Sequence, residues 1–504
     1  MIIDDQHYDI IIVGTGAGGG TLAQRLAPTG KRILILERGD RMALSEQNRA
    51  NVDVFKKERY HAPEQWYDKD GEPFSPQTNY AVGGNTKIYS ATLMRMRDRD
   101  FTAVQHQEGI APGWPLQYGD LEPYYAAAER LYQVHGDPQG DPTEPEHSTG
   151  YPFPAIDHEP LMQPIVEGLS QQGLHPTPLP LSLTRQDDDP TGDSEVFGIN
   201  LAVKHENVTL KTSAKVVSLH TDPSGKTIKG VQAEVGDQPM LFSSDIVVLA
   251  CGAVNSAALL LDSANDRHPQ GLANSSDLVG RNLMKHQMTV IVEKASGTNS
   301  GEFPRSVSVN DFYWGNRDYS YPMGHIENSG GLLQDIIFAE SPPLLSVLAQ
   351  ILPGDRLKGL AIHSIGWWAQ TGMLPDPKNR VCRKKGKLRY EFEPNNFEAH
   401  DRLVYQWIEV LKKLEMEVVS VKSNTLFPRG EAPISVVGYQ LGTCRLGTDP
   451  ATSVLDLNCR THDIDNLYVV DGSFFPSCPA VGPALTIMAN ALRVGDHLCD
   501  RLKA

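Results

Sequence analysis

The feature that most constrains this chain lies at its start. Tyr8-Asp9-Ile10-Ile11-Ile12-Val13 runs directly into Gly14-Thr15-Gly16-Ala17-Gly18-Gly19. A continuous apolar run of this kind suits a strand buried on both faces of a parallel sheet. Thr21 to Ala27 reads as a helix closed by Pro28 and Gly30, and Arg32 to Glu37 reads as a second buried strand. Strand, helix and strand make one βαβ unit with a GxGxxG turn at its first corner. Gly14 allows the tight turn, Gly16 lets the backbone approach a pyrophosphate, and Gly19 permits close packing of helix on strand. The helix N-terminus offers free N–H groups and the positive end of a dipole to phosphates. Glu37 ends the second strand 23 residues after Gly14, where an acid can bind ribose hydroxyls. The pattern predicts a dinucleotide-binding domain that opens almost at residue 1.

A chain of 504 residues is too long for one compact core, so a second domain is expected. Strand signals return at Val208-Thr209-Leu210, at Val216 to Leu219 and at Asp245 to Ala250, the last running through Cys251-Gly252-Ala253 into a helical stretch that reaches Leu261. They return again at Leu467-Tyr468-Val469-Val470. A final helix carries Leu485, Met488, Ala489 and Leu492 on one face. Between these pieces, residues 105–205 are rich in Pro, Gly and Asp and read as loops and short elements. Residues 290–435 have no second glycine fingerprint and read as an antiparallel sheet with flanking helices. The expected fold is α/β (α+β overall). A discontinuous Rossmann-type domain takes 1–104, 205–290 and 440–504, and a substrate domain with cap segments takes 105–204 and 291–439.

The formal net charge of −16 makes nucleic acid and anionic membrane surfaces poor partners. No apolar run reaches transmembrane length. The first strand begins about eight residues in, which leaves no room for a cleavable signal peptide, so a cytoplasmic location is expected. The six cysteines form no CxxC pair and are expected to be reduced. The 16 histidines show no metal-ligand cluster, and no metal is expected. Nothing in the sequence speaks to oligomeric state.

The glycine fingerprint alone does not separate FAD from NAD. Four ordered segments do more. They are Val13 to Gly20 with Glu37-Arg38-Gly39; Val82-Gly83-Gly84-Asn85-Thr86 leading to Arg95 and Arg97; Ala250 to Ser256; and Gly442 to Gly447, continued by Leu467 to Ser473 and Pro483 to Thr486. On these segments the chain resembles the glucose–methanol–choline (GMC) oxidoreductase family over essentially its whole length. The resemblance implies FAD held along its length by Gly14, Thr15, Gly16, Ala17, Gly18, Gly19, Glu37 and Arg38. It also implies Gly83, Gly84, Asn85 and Thr86 at the pyrophosphate and flavin, and Gly252, Ala253, Asp471 and Gly472 further along. Val216 sits where an adenine-side backbone contact is expected, or is only a strand residue. Pro483 reads as the first residue of the last helix, whose N-terminus, with Ala484, would face the flavin. Some relatives attach flavin to a histidine just after the second segment. This chain has Thr86-Lys87-Ile88-Tyr89 there, so noncovalent FAD is expected.

The resemblance fails at one place. Alcohol oxidation by flavin needs hydride transfer to N5 and loss of the hydroxyl proton. The family usually supplies a histidine three residues before the Gly-Thr of the fourth segment and a His or Asn just before the last helix's proline. Here those positions hold Tyr439 and Gly482. A histidine, with a reference pKa of about 6.5, takes a proton at neutral pH, whereas tyrosine, at about 10, is already protonated. Tyr439, Gln440 and Gly482 are the candidate reaction-site residues. His286, His325 and His363 are possible substitutes for the missing base, with His363 placed to face the cavity. Three readings stand: an alcohol oxidoreductase acting on a small organic molecule with a displaced base; a repurposed flavoenzyme in which Tyr439 and Gln440 bind substrate and no alcohol is deprotonated; and an FAD-binding protein that is non-catalytic or altered at its active site.

Overall fold

A computed structural model describes residues 1–42, 62–183, 192–294, 306–331, 363–414, 418–420 and 437–503. The chain enters a first sheet as β1 (Ile2–Val13), α1 (Ala17–Leu26) and β2 (Ile33–Leu36). It leaves for helix α2 (Tyr118–Leu131) and the short strand β3 (Pro176–Pro178). It returns as β4 (Val208–Lys211), β5 (Ala214–Thr221), β6 (Ile228–Val235) and β7 (Gln238–Leu249), followed by α3 (Ala253–Asp262). A second sheet is then built from β8 (His286–Lys294), β9 (Val307–Val309), β10 (His325–Gly331) and β11 (Ser364–Gly372), with α4 (Phe397–Lys413) and β12 (Val418–Ser420) after them. The chain finishes in the first sheet with β13 (Leu467–Val469) and α5 (Ala484–Arg501).

The first sheet has seven strands in the order β4-β2-β1-β7-β6-β5, with β13 also paired to β7. β4, β2, β1, β7 and β13 run parallel, while β6 pairs antiparallel with β7 and β5 antiparallel with β6. Ile10, Ile11 and Ile12 are fully buried, as a strand covered on both faces requires. The register places Val13 beside both Leu36 and Leu249, and Leu249 beside Val469. The parallel strands therefore end together along one edge.

The second sheet has six strands, order β12-β8-β11-β10-β9-β3, all antiparallel. β8 opens at His286, inside the 205–290 segment expected for the first domain, and β3 comes from the 105–204 segment. Side chains alternate across this sheet. Thr289 and Thr371 bond the His400 imidazole of α4 at 2.8 and 3.0 Å, and Trp367 packs on Trp407 of α4 with ring centroids 4.8 Å apart. Met288, Val290, Trp368 and Gln370 face the opposite way, into a cavity against the first sheet. Parts of the expected 105–204 and 291–439 segments, and of 1–104, lie outside the described residues.

One element departs from the sequence reading. The loop-rich segment contains α2, a 14-residue helix despite Gly119 and Pro123. Asp120 accepts from the Gln117 N–H at 2.8 Å and caps its start. Leu121, Tyr125 and Ala128 are buried, and the Tyr125 hydroxyl meets Thr486 of α5 at 2.8 Å. Tertiary packing outweighs the two helix-breaking residues.

A buried carboxyl in the second sheet gives a test of this core. Trp367 donates to Glu293 Oε1 at 2.9 Å, while Oε2 finds no partner among the described residues. Burial pushes Glu293 up from 4.5 to about 8. The fold thus retains a proton that the unfolded chain releases, and this contribution to stability is lost as pH rises through about 8. Glu293→Gln keeps the acceptor for Trp367 and removes the titration. Chemical denaturation at pH 5 and pH 9 should show the wild type losing on the order of a few kcal/mol more than the variant.

Candidate active site

The ends of the parallel strands open onto one cavity of about 800 Å³. Its nucleotide end is built from the first corner. Gly14 has φ +100, and a Cβ there would lie 2.4 Å from the Ala250 carbonyl oxygen. Gly14 to Gly18 line the wall, whereas Gly19 packs behind it, with room for a Cβ denied by the Gly14 oxygen at 2.1 Å. A Cβ at Gly16 meets nothing within 4 Å, so this turn presents bare backbone to open space. Glu37 is buried. Its Oε2 accepts from the Thr15 hydroxyl at 2.6 Å and the Thr15 N–H at 3.1 Å, and its Oε1 from the Gly39 N–H at 2.9 Å. Burial raises its pKa against these bonds. Oε2 is thereby filled, and Oε1 retains capacity for a further donor. Arg38 lies over the Tyr80 ring, 3.5 Å from its centroid, and pairs with Glu64 at 2.9 Å. Glu64 and Tyr80 are wall residues that the sequence did not single out. Val216 also lines this end, beside a β-bulge that shifts the pairing with β6 after it.

The middle of the cavity is held by hydrogen bonds between segments far apart in sequence. Gly84, Asn85 and Thr86 line it, while Gly83 stands behind the wall and donates its N–H to the Thr15 hydroxyl at 3.0 Å. Asn85 accepts from the Asn79 N–H at 2.7 Å and donates to the Gly438 carbonyl, next to Tyr439. Asp471 is buried, not a solvated turn residue. Its Oδ2 accepts from the Gly252 N–H at 2.9 Å and the Ser256 hydroxyl at 2.5 Å, and its Oδ1 from the Ser473 N–H at 2.9 Å. Asp471 thus splints the start of α3 to the Gly472 turn, with Gly252, Ala253 and Gly472 on the wall. The first turns of α1, α3 and α5 all reach the cavity. Three helix N-termini give it a positive lining suited to a pyrophosphate and to an anionic ring.

At the far end stand Tyr439, Gln440, Gly482, Pro483 and Ala484, facing Met288, Val290, Glu327, Trp368 and Gln370 of the second sheet. Tyr439 touches an imidazole: its hydroxyl lies 2.5 Å from His286 Nδ1. His286 Nε2 lies 2.6 Å from the Pro479 carbonyl oxygen, and Gln370 Oε1 lies 3.2 Å from Nδ1. Burial lowers His286 to about 4. The Gln440 amide donates to the Val437 carbonyl at 2.9 Å. A Cβ at Gly482 meets nothing within 4 Å, so the place of a side chain is open there. The last helix begins at Ala484 with Pro483 as its N-cap, one position later than the sequence reading starts it; Pro483 already has helical dihedrals and accepts from the Ile487 N–H at 3.0 Å. His363 is exposed before β11 and lines no part of the cavity, contrary to expectation. The expectation rested on an apolar run, but the strand starts after His363, which leaves it in a turn. His325 is buried against Asn310 at 2.8 Å and Glu327 at 3.3 Å. Among the described residues no cluster of metal-ligating side chains exists.

Models of the GMC oxidoreductase family match residues 8–288 and 386–491. The chain belongs to the GMC oxidoreductase family. It is an oxidoreductase with a flavin (FAD) cofactor, and the open backbone at Gly16 and the three helix N-termini fit such a group. The chain is 28% identical to the 6'''-hydroxyparomomycin C oxidase of Streptomyces lividus, across 99% of this chain and 93% of that relative. It is 27% identical to the paromamine 6'-oxidase of Streptomyces fradiae, across 97% and 91%. It is 26% identical to the fructose dehydrogenase large subunit of Gluconobacter japonicus, across 98% of each. The fold superposes on pyridoxine 4-oxidase from Mesorbium loti with a TM-score of 0.72 at 19% identity, covering 97% of this chain and 99% of that one. A formate oxidase gives 0.72 at 16% identity, covering 99% of each.

The two kinds of glycine in the GMC fingerprint should separate on substitution. A Cβ at Gly18 would sit 2.1 Å from the Val470 carbonyl oxygen, so Gly18→Ala forces backbone apart and should cost about 1–3 kcal/mol of stability. Gly16→Ala should leave the unfolding midpoint nearly unchanged and lower the flavin-to-protein ratio of the purified enzyme, because its methyl occupies the open face. Thermal unfolding and the flavin absorbance of the same samples read both effects.

Proposed function

We propose that this GMC oxidoreductase oxidises a CH–OH group of a small polar organic molecule, with noncovalent FAD as hydride acceptor. The observation that carries this reading is the single cavity that begins at the dinucleotide glycines and ends at the hydroxyl of Tyr439 and the amide of Gln370. When bound, the cofactor supplies the two-electron acceptor. Of the side chains, Glu37, Arg38 and the Gly16 and Gly252 turns hold the nucleotide half. Tyr439, Gln440 and Gln370 present hydrogen-bonding groups where a substrate hydroxyl would lie, and Met288, Val290 and Trp368 exclude water above them. The open space at Gly482 admits a substrate bulkier than a side chain there would allow. The relatives' own names point to 6'''-hydroxyparomomycin C, paromamine and fructose. A polyhydroxylated or amino-sugar substrate is the class this reading favours.

Noncovalent attachment is supported by the residues after the second glycine segment. Lys87 is committed to Asp193 at 2.7 Å and Glu195 at 2.9 Å, and the Thr86 hydroxyl to the Gly83 carbonyl at 2.6 Å. No histidine is among the described residues lining the cavity. The six cysteines are all free. No helix among the described residues is long and apolar enough to cross a membrane.

The oxidised enzyme mixed anaerobically with a panel of amino sugars, sugars and diols should bleach its flavin absorbance with at least one. Acid precipitation should leave the flavin in the supernatant. Turnover of another substrate with the flavin still oxidised would instead mark chemistry without net alcohol oxidation, and flavin retained in the pellet would mark a covalent link.

A further inference from the structure

Position 439 lacks the expected histidine, yet an imidazole stands directly behind the tyrosine that replaces it. We propose that Tyr439 and His286 form a two-member proton relay, with the Tyr439 hydroxyl touching substrate and His286 Nδ1 as the final acceptor of the substrate's hydroxyl proton. The proposal rests on the alcohol-oxidising reading above.

The geometry assigns each proton. A backbone carbonyl only accepts, so the contact from His286 Nε2 to the Pro479 oxygen at 2.6 Å fixes the proton on Nε2. Neutral His286 then carries its lone pair on Nδ1, 2.5 Å from the Tyr439 oxygen; Gln370 Oε1, 3.2 Å from Nδ1, makes no hydrogen bond to it in this state and is the more distant acceptor for the phenol at 3.5 Å. The phenol therefore donates to Nδ1 and keeps lone pairs on the same oxygen for an incoming hydroxyl. Tyr439 lines the cavity, whereas His286 does not and is fully buried. Substrate reaches the imidazole only through the phenol.

The transfer balances. The substrate O–H bond breaks and its proton joins the Tyr439 oxygen, while the phenolic proton passes to His286 Nδ1. Bound flavin would supply the two-electron acceptor for the hydride lost from the carbinol carbon, so that the C=O bond forms as the C–H and O–H bonds break. Tyr439 ends as it began, and His286 ends as an imidazolium. That cation is received by groups already in place: the Pro479 carbonyl at Nε2, and Gln370 Oε1, 3.2 Å from Nδ1. Burial keeps the resting ring neutral near pH 7, the form that accepts. The charged and titratable groups facing it are His325, which opposes its protonation, and Glu327, which favours it, both on β10. Lys285 precedes it in the chain. A packed tyrosine serving only as filler would not need an imidazole held in one tautomer at hydrogen-bond distance.

The test uses the flavin-loaded enzyme with the substrate that bleaches it most rapidly. His286→Gln keeps a donor for Pro479 and should slow flavin reduction by about 10²–10⁴-fold. It should also abolish the fall in rate that the wild type shows as pH drops toward 4. Tyr439→Phe should cost a similar factor, and the double variant little more than either single one, because both residues serve one path. Tyr439→His in the His286→Gln background should recover rate, since it places an imidazole on the wall itself. A readout without turnover is the imidazole ¹⁵N spectrum, which should show Nε2 protonated and Nδ1 as a hydrogen-bond acceptor, with Tyr439→Phe shifting Nδ1 alone. Wild-type rate and pH profile in a flavin-loaded His286→Gln enzyme overturn the relay while the alcohol reading stands. Independent, multiplying losses in the double variant, or a resting proton on Nδ1, overturn it equally. Failure of every alcohol to bleach the flavin overturns the alcohol reading, and the relay with it. If His286→Gln does not fold, Tyr439→Phe with an unchanged rate is by itself decisive against the relay.

Discussion

Everything at this site depends on one alignment of strand ends. Val13, Leu36, Leu249 and Val469 lie side by side in parallel register. The residues that follow them, Gly14, Glu37, Ala250 to Gly252 and Val470 to Gly472, are therefore delivered to a single edge. In parallel sheets this carboxyl edge is where backbone N–H groups and helix starts are left to face a ligand. Had any strand slipped by one residue, its inward side chains would face outward and its following turn would move by a full residue. The Asp471 carboxylate, bonded at once to Gly252, Ser256 and Ser473, is the cross-brace that keeps two of these turns together. It is a structural brace of the cavity wall.

The second sheet solves a different problem. Its strands have one face for α4 and one face for the cavity, and the two-residue period divides the work. Thr289, Ile291, Trp367 and Thr371 bind it to α4, while Met288, Val290, Trp368 and Gln370 roof the site. His286 sits at the point where β8 begins, below that roof and beside the Pro479 loop that leads to Gly482. The same loop is pinned from the other side, since the Ala480 N–H donates to the Tyr313 hydroxyl at 3.1 Å and that hydroxyl donates to Asp100 at 2.8 Å. The imidazole is thus fixed against a backbone that is itself fixed.

That the first-corner residues share one cavity was legible in the sequence, and the contact of Tyr439 was not, for a physical reason. Gly14, Gly16 and Glu37 belong to one short unit whose spacing is dictated by local geometry, so their placement was legible from the chain alone. Tyr439 and Gly482 were recognised only as departures from a family pattern. The partner of Tyr439 is 153 residues away, on a strand in the other sheet, and no local spacing encodes that contact. The apolar run before His363 does not carry it into the strand, which starts one residue later. Gly83 was read as a wall residue but supports the wall from behind through Thr15. Helix α2 was hidden by Gly119 and Pro123, whose local cost is outweighed by burial that only the folded partner α5 supplies.

These placements change what the loss at position 439 means. Replacing a wall histidine by tyrosine removes a base from the surface of a cavity, but a phenol adds reach. Here its hydroxyl extends to an imidazole that already has its Nε2 committed to backbone and its Nδ1 turned to the phenol. On the relay reading the basic group lies one residue deeper, where it is buried, and the group on the wall is neutral. Gly482 withdraws a side chain on the facing side, and nothing refills that volume. The two substitutions are therefore complementary. On the relay reading Tyr439 keeps a path to a proton acceptor, and Gly482 leaves the room of a side chain open at the same end of the cavity.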